Sequence, residues 1–133
     1  MKRAADWPAR LYAYVESRRD VPFAWGDNDC CSFAAGAIEA MTGERLDVGF
    51  ERETAGHAAA MLADVGGVAG IADLKLGARQ SGRTARRGDI VLVEQSDDRD
   101  LLGVALGVGV AVPGRAGVLI LPRSAAVHCW RVG

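Results

Sequence analysis

Three cysteines and two histidines are the residues of this chain whose chemistry could support nucleophilic catalysis or metal binding. They are Cys30, Cys31, Cys129, His57 and His128. Cys30 follows Asn28-Asp29 and begins an apolar stripe with helical spacing, so it is predicted to lie in the first turn of a helix. The unpaired amides of that turn favour a thiolate, which makes Cys30 a candidate nucleophile. The alternative is a small buried hydrophobic residue, the commoner role of a free cysteine.

A nucleophilic thiol needs a base, and the histidines are the candidates. His128 on the predicted last strand is the better one, whereas His57 lies among alanines on a predicted helix, a setting typical of a structural histidine. His128 can serve only if it reaches the thiol of Cys30. A zinc site built from the cysteines and His128 is disfavoured, because His128 and Cys129 are consecutive on a strand and face opposite sides. We therefore predict no metal and no cofactor.

Helical periodicity dominates the first half of the chain. Helices are predicted from Asp6-Trp7-Pro8 to Arg18-Arg19, from Cys30 to Gly43, and from Thr54 to Gly66-Gly67, with one short helical turn within residues 68–76. The first of these is expected to bury one face. That face consists of Trp7, Leu11, Tyr12 and Val15.

The second half of the chain changes to β-branched, short apolar runs. Strands are predicted at residues 90–93, 102–112, 118–121 and 127–132, with turns at residues 95–100 and at Pro113-Gly114. Helices followed by strands indicate an α+β fold, here a single domain spanning residues 1–133 with a helical N-terminal half packed on a C-terminal antiparallel sheet. His128 belongs to the last strand, which would need to lie beside the catalytic strand for His128 to act as the base.

Two motifs in this order resemble a known family. Phe23-Ala24-Trp25-Gly26 followed by Asp29-Cys30, and then Gly88-Asp89-Ile90-Val91, are similar to the signature of NlpC-type cysteine peptidases, which have a papain-like fold. The resemblance implies hydrolysis of an amide in peptidoglycan peptides, with Cys30 as nucleophile. It also implies a histidine at the start of the next strand, which takes and returns the proton.

The position of that histidine is occupied by leucine. The family strand begins His-hydrophobic-Gly-Ile, and the matching segment here, Leu101-Leu102-Gly103-Val104, has Leu101 in its place. Two function classes therefore stay open. The favoured one is a degenerate peptidase fold kept as an assembly or binding module, and the other is an active peptidase or amidase with Cys30 as nucleophile and His128 as base.

The chain is also similar to small, uncharacterised phage and prophage proteins. They share the Leu106-Gly107-Val108 element and a tryptophan near the carboxyl end, here Trp130. This resemblance implies a tail-tip or tail-assembly protein whose partners are other tail proteins. Peptidoglycan peptide is the substrate in the enzymatic alternative.

Composition excludes several other classes. The 133 residues carry a net charge of −1, which argues against a nucleic-acid-binding protein, and the basic cluster Arg83, Arg86 and Arg87 is predicted to be a solvated loop. No apolar signal core follows Met1-Lys2-Arg3, and no run is long enough to insert into a membrane. With an odd number of cysteines, we expect reduced thiols and a protein that is cytoplasmic when synthesised and then incorporated into a virion tail.

Overall fold

Helices come first and a sheet second in the computed structural model, which describes residues 1–24, 28–46, 66–94 and 100–133. Its helices are α1 (Trp7–Ser17), α2 (Cys30–Thr42) and α3 (Gly67–Leu76). Its strands are β1 (Gln80–Ser81), β2 (Ile90–Glu94), β3 (Asp100–Ala105), β4 (Val110–Gly114), β5 (Gly117–Leu121) and β6 (Ala126–Trp130). The predicted α+β class and the antiparallel pairing of the strands are confirmed. Within the described segments, no helix has the length and apolar character needed to cross a bilayer.

Helix α1 begins at the predicted place, with Pro8 in its first turn. Asp6 does not cap it, because its carboxylate accepts a hydrogen bond from Arg10 Nε at 2.7 Å instead of from a backbone amide. The predicted buried face is wrong at Tyr12, which is 47% exposed. Tyr14 packs inward in its stead and donates a hydrogen bond from its hydroxyl to the carbonyl oxygen of Phe33 at 2.8 Å. Burial raises the pKa of Tyr14 to about 12.

Helix α2 confirms the predicted stripe and both of its ends. The side chain of Asp29 accepts a hydrogen bond from the amide of Ser32 at 2.9 Å, and Gly43 ends the helix with φ of 80°. Almost every residue between them is buried, so α2 is the central helix of the described structure.

Helix α3 is longer than predicted, since ten residues replace the single turn expected within residues 68–76. Val68, Ala69, Ile71 and Ala72 are buried against the sheet and α2. The helix predicted to begin near Thr54, including His57, lies outside the described residues, as does most of the turn predicted at residues 95–100.

The sheet has the strand order β1-β6-β2-β3-β4-β5. The single strand predicted at residues 102–112 is wrong, because the chain turns at Leu106, whose amide donates to the carbonyl oxygen of Gly109 at 2.7 Å. Pro113 and Gly114 belong to β4 instead of forming the predicted turn. The two-residue strand β1, which pairs with β6, was not predicted.

Alternate residues of the central strands form the two faces of the sheet. One face packs under the helices and includes Ile90, Leu92, Leu102, Val104 and Trp130. The other carries Val91, Val93, Ala105, Val110 and Cys129. Helix α2 lies mainly over β3 and β4, whereas α3 lies over β3 and β6. The helices therefore divide the inner face between them.

A buried carboxylate ties both ends of the chain to the start of β2. Asp89 is 1% exposed; it accepts hydrogen bonds from Arg3 at 3.3 Å, from the amide of Arg86 at 2.9 Å, and from Arg131. Arg3 also donates to the carbonyl oxygen of Val132 at 2.6 Å. Since a buried carboxylate is costly without such partners, this network holds the terminal segments in place.

We expect Gly103→Ala to destabilise the fold by about 1–3 kcal/mol through overpacking. A Cβ at Gly103 would lie 2.5 Å from the carbonyl oxygen of Ala111 and 2.7 Å from Cγ1 of Val112, so the β3–β4 pair would have to separate. Gly107→Ala is the matched control, because its Cβ would meet nothing closer than Arg87 Cδ at 4.0 Å. Urea denaturation measures both variants, and equal midpoints would contradict this packing.

We expect Asp89→Asn to destabilise the fold by about 3 kcal/mol, because the two arginines lose their counter-charge and the new amide meets the N–H of Arg86. Asp6→Asn removes an exposed i,i+4 pair with Arg10 and should cost less than about 0.5 kcal/mol. Thermal and urea unfolding distinguish the two variants. An Asp89→Asn protein as stable as the Asp6→Asn protein would refute the role of the buried carboxylate.

Candidate functional site

Cys30 is the first residue of α2, the predicted position, and is 6% exposed. It belongs to the apolar cluster that includes Leu11, Leu102 and Val104. Cys31, one step around the helix, lines a narrow apolar cleft of about 30 Å³ between α2, α3 and the sheet. Both thiols therefore lie in the first turn of α2 and in the same buried cluster, and of the two Cys31 lines this cleft.

The beginning of α2 lies at one particular end of the sheet. Arg18, just after α1, donates to the side-chain oxygen of Asn28 at 2.9 Å, and the amide of Phe23 donates to the carbonyl oxygen of Gly114 at 3.0 Å. Gly114 ends β4, and because β3 and β4 are antiparallel, β3 begins at the same end. The approach to α2 is thus anchored at the end of the sheet where β3 starts.

Leu101 is the second residue of β3, opposite Val93 of β2. It is half-buried and packs against both apolar clusters, including the one that contains Cys30. By the alternation of β3 it shares the face of Val93 and Ala105, away from the helices, although it also contacts the cluster that contains Cys30. Leucine brings only apolar surface and can neither accept nor donate a proton.

His128 lies elsewhere on the sheet. It is half-buried in β6, opposite Leu92 of β2 and Ser81 of β1, and by the alternation of the strand it shares the helix side of the sheet with Trp130. Strand β2 separates β6 from β3, so the β6 and β3 backbones are about 10 Å apart. His128 is thus on the predicted strand, with β2 between it and β3.

On the helix side of the sheet, Asp73 of α3 is the centre of a polar cluster that reaches β6. The Asp73 carboxylate accepts hydrogen bonds from Arg79 at 2.5 Å and from Trp130 Nε1 at 3.0 Å. The hydrogen bonds from Arg79, and to a lesser degree that from Trp130 and the charges of Arg79 and His128, hold the pKa of Asp73 below its usual value, against the opposing effect of burial. Sequence patterns did not predict this cluster, because its members come from three separate segments that only the packing of α3 on β6 brings together.

Cys129 faces the opposite side of the sheet and is fully buried. Its thiol donates to the carbonyl oxygen of Ser81 at 3.3 Å and contacts the hydroxyl of Thr84 at 3.7 Å. The three cysteines all lie in described segments and carry thiols, with no disulfide among them. Within those segments, no group of three or more histidine, cysteine or acidic side chains is arranged to hold a metal ion.

The family that matches is described as a domain of unknown function, DUF6950, and the match covers residues 2–132. No curated protein matches the chain.

We expect Leu101→His to accelerate alkylation of Cys30 at neutral pH by about tenfold, because an imidazolium near a thiol stabilises the thiolate. Leu119→His is the control, since Leu119 is exposed on β5 at the sheet edge. Iodoacetamide labelling followed by peptide mapping separates Cys30 from Cys31 and Cys129. Equal alkylation rates of Cys30 in the two variants would mean that a side chain at position 101 does not influence the thiol.

Proposed function

Since the chain belongs to the DUF6950 family, whose description carries no function, we propose a function from its own geometry and from the motif resemblance. The protein is a phage or prophage tail-associated assembly module, built on a degenerate NlpC-type, papain-like cysteine peptidase fold. The observation that carries the proposal is Leu101: the motif resemblance aligns it with the family's histidine, in a chain whose Cys30 opens the central helix α2.

The architecture supports the peptidase-like ancestry. A cysteine opens the central helix, the helical half precedes an antiparallel sheet, and the Gly88-Asp89 motif leads directly into the first long strand. That motif has a structural role here, because Gly88 adopts φ of 92° and Asp89 makes the buried contacts to Arg3 and Arg131. The same residues can therefore be kept for the fold when catalysis is absent.

The chemistry argues against turnover. A thiolate can attack an amide, but the tetrahedral intermediate goes forward only when an acid protonates the leaving amine. Leu101 has no proton to give. Without that transfer the intermediate expels the thiolate and returns to substrate, and losing a member of such a catalytic pair costs several orders of magnitude in rate.

A second candidate, an active peptidase or amidase with Cys30 and His128, is favoured by one observation. His128 pairs with Leu92 in the sheet and so lies on the side of the sheet that faces the helices, the side on which Cys30 lies. Against it, β2 lies between the strand of His128 and β3, over which α2 packs. Cys30 and His128 would therefore have to come together across the inner face of the sheet to act as nucleophile and base.

The assembly partners in this proposal are other tail proteins, as the resemblance to the small phage proteins implies. A fold that has lost its base but keeps a rigid core offers a stable surface to neighbours in a tail. In this proposal the domain does not cleave peptidoglycan peptide, which is the substrate only in the second candidate function.

We expect the purified protein to release no product from muropeptides, with wild type and Cys30→Ala indistinguishable by chromatography of the digest. An active NlpC-type peptidase serves as the positive control for the substrate. If wild type cleaves, and both Cys30→Ala and His128→Ala abolish cleavage, the second candidate is correct and the assembly-only function is wrong.

We expect Cys30→Ala to support tail assembly as well as wild type does when it complements a phage or prophage deleted for this gene. The reason is that assembly needs the fold and not the thiol. Plaque counts and electron microscopy of tails measure the result, with the destabilised Gly103→Ala protein as the variant that should fail at elevated temperature. Normal tails in the deletion strain itself would contradict a role in assembly.

A further inference from the structure

A groove that shares no lining residue with the Cys30 region opens between two 3₁₀ turns, Gly82–Thr84 and Arg123–Ala125, and the start of β6. Its volume is about 570 Å³ and it is open to solvent on one side. The lining residues are Ser81, Gly82, Arg83, Arg123, Ser124, Ala126 and Val127, none of which is acidic. We propose that this groove binds the phosphoryl group of a small phosphorylated ligand through Arg83 and Arg123.

Arg123 is a fixed cation at this site. Its guanidinium donates to the carbonyl oxygen of Leu106 at 3.0 Å and to that of Ala85. Both acceptors are neutral, so these hydrogen bonds orient the group without cancelling its charge. A guanidinium has five N–H donors, and the two carbonyl oxygens engage only part of them. Arg123 is thus positioned before any anion arrives, which reduces the ordering cost of binding.

Arg83 supplies the second charge. Its side chain is exposed, and within the described part of the chain it has no ion pair or hydrogen bond. Its backbone amide donates to Ser81 Oγ at 3.3 Å, which uses that oxygen as an acceptor and leaves the hydroxyl hydrogen available. Ser124 adds another exposed hydroxyl. The groove therefore presents two guanidinium groups and two hydroxyls to its contents.

These donors suit a phosphoryl dianion. Arginine pairs with phosphate oxygens in a bidentate manner, and a phosphoryl group offers three peripheral oxygens where a carboxylate offers two. The volume exceeds what one phosphate fills and falls in the range of small-molecule sites. Ala126 and Val127 supply apolar wall for the carbon part of the ligand. A polymeric nucleic acid fits less well, because binding dominated by phosphates favours a basic excess and the net charge here is −1.

The tertiary structure separates Arg83 from the other members of its basic cluster. Arg87 lies over the ring of Trp7, 5.5 Å from its centroid, and Arg3 lies over the same ring at 4.3 Å. Arg83 instead lines the groove with Arg123, forty residues further along the chain. The prediction of a solvated loop accounts for the exposure of these arginines, but not for this pairing.

The test is a titration of isotope-labelled full-length protein, followed by amide and arginine side-chain NMR signals. Inorganic phosphate and glycerol phosphate are the probes, and sodium chloride at matched ionic strength is the control. We expect saturable chemical-shift changes at residues 81–84 and 123–127 with both phosphates and none with chloride. Glycerol phosphate should bind more tightly than inorganic phosphate. Shifts that do not saturate, that chloride reproduces, or that map elsewhere would overturn the proposal.

Arg83→Gln should weaken phosphate binding by about tenfold, since it removes one charge-assisted contact. Arg115→Gln is the matched control, because Arg115 is equally exposed but lies in the β4–β5 turn; it should bind as wild type does. Arg123→Lys keeps the positive charge but loses the planar guanidinium that can donate two parallel hydrogen bonds to a phosphate, so it should also weaken binding. Circular dichroism checks that each variant is folded. Arg83→Gln removes no side-chain contact of the described structure, so it tests the phosphate site even if Arg123→Lys unfolds. Equal weakening by Arg115→Gln would refute the site.

Discussion

The burial of the Asp89 carboxylate is the constraint on which the closure of this fold depends. A charge that is 1% exposed persists only when its partners stay in place, and here those partners are Arg3 near the amino end and Arg131 near the carboxyl end. Both terminal segments are therefore fixed to the start of β2. The Asp89 carboxylate thus connects three parts of the chain: the start of β2, the segment before α1 and the segment after β6.

From that anchor the position of α2 follows. The N-terminal segment that carries Arg3 also donates from the amide of Ala4 to the carbonyl oxygen of Met41, at the far end of α2. At the near end, Arg18 and Phe23 connect the approach to α2 with Asn28 and with the end of β4. The helix is thus held at both ends against β3 and β4. The direction in which its first turn presents Cys30 is a property of the whole fold.

This rigidity separates the two residues that a thiol hydrolase would need together. Cys30 opens the helix that packs over β3 and β4, whereas His128 belongs to a strand beyond β2. The inner face between them is filled by apolar side chains such as Leu92 and Leu102. A core packed to this degree leaves little freedom for the imidazole to approach the thiol.

Local signals in the sequence predicted the stripe and both ends of α2, because the spacing of its apolar residues, a cap at Asn28 or Asp29 and the Gly43 stop all act within one helix; the structure shows Asp29 as the cap. They also predicted the α+β class with an antiparallel sheet. The motif alignment put Leu101 at the position of the family's histidine. The turn at 106–109 escaped prediction because it interrupts an apolar, glycine-rich run without a polar residue to mark it. Only the tertiary structure decided that Tyr14 packs inward, that Trp130 donates a hydrogen bond to Asp73, and that Arg83 lines a groove with Arg123. Each of these depends on packing between segments distant in the chain, which no local periodicity encodes.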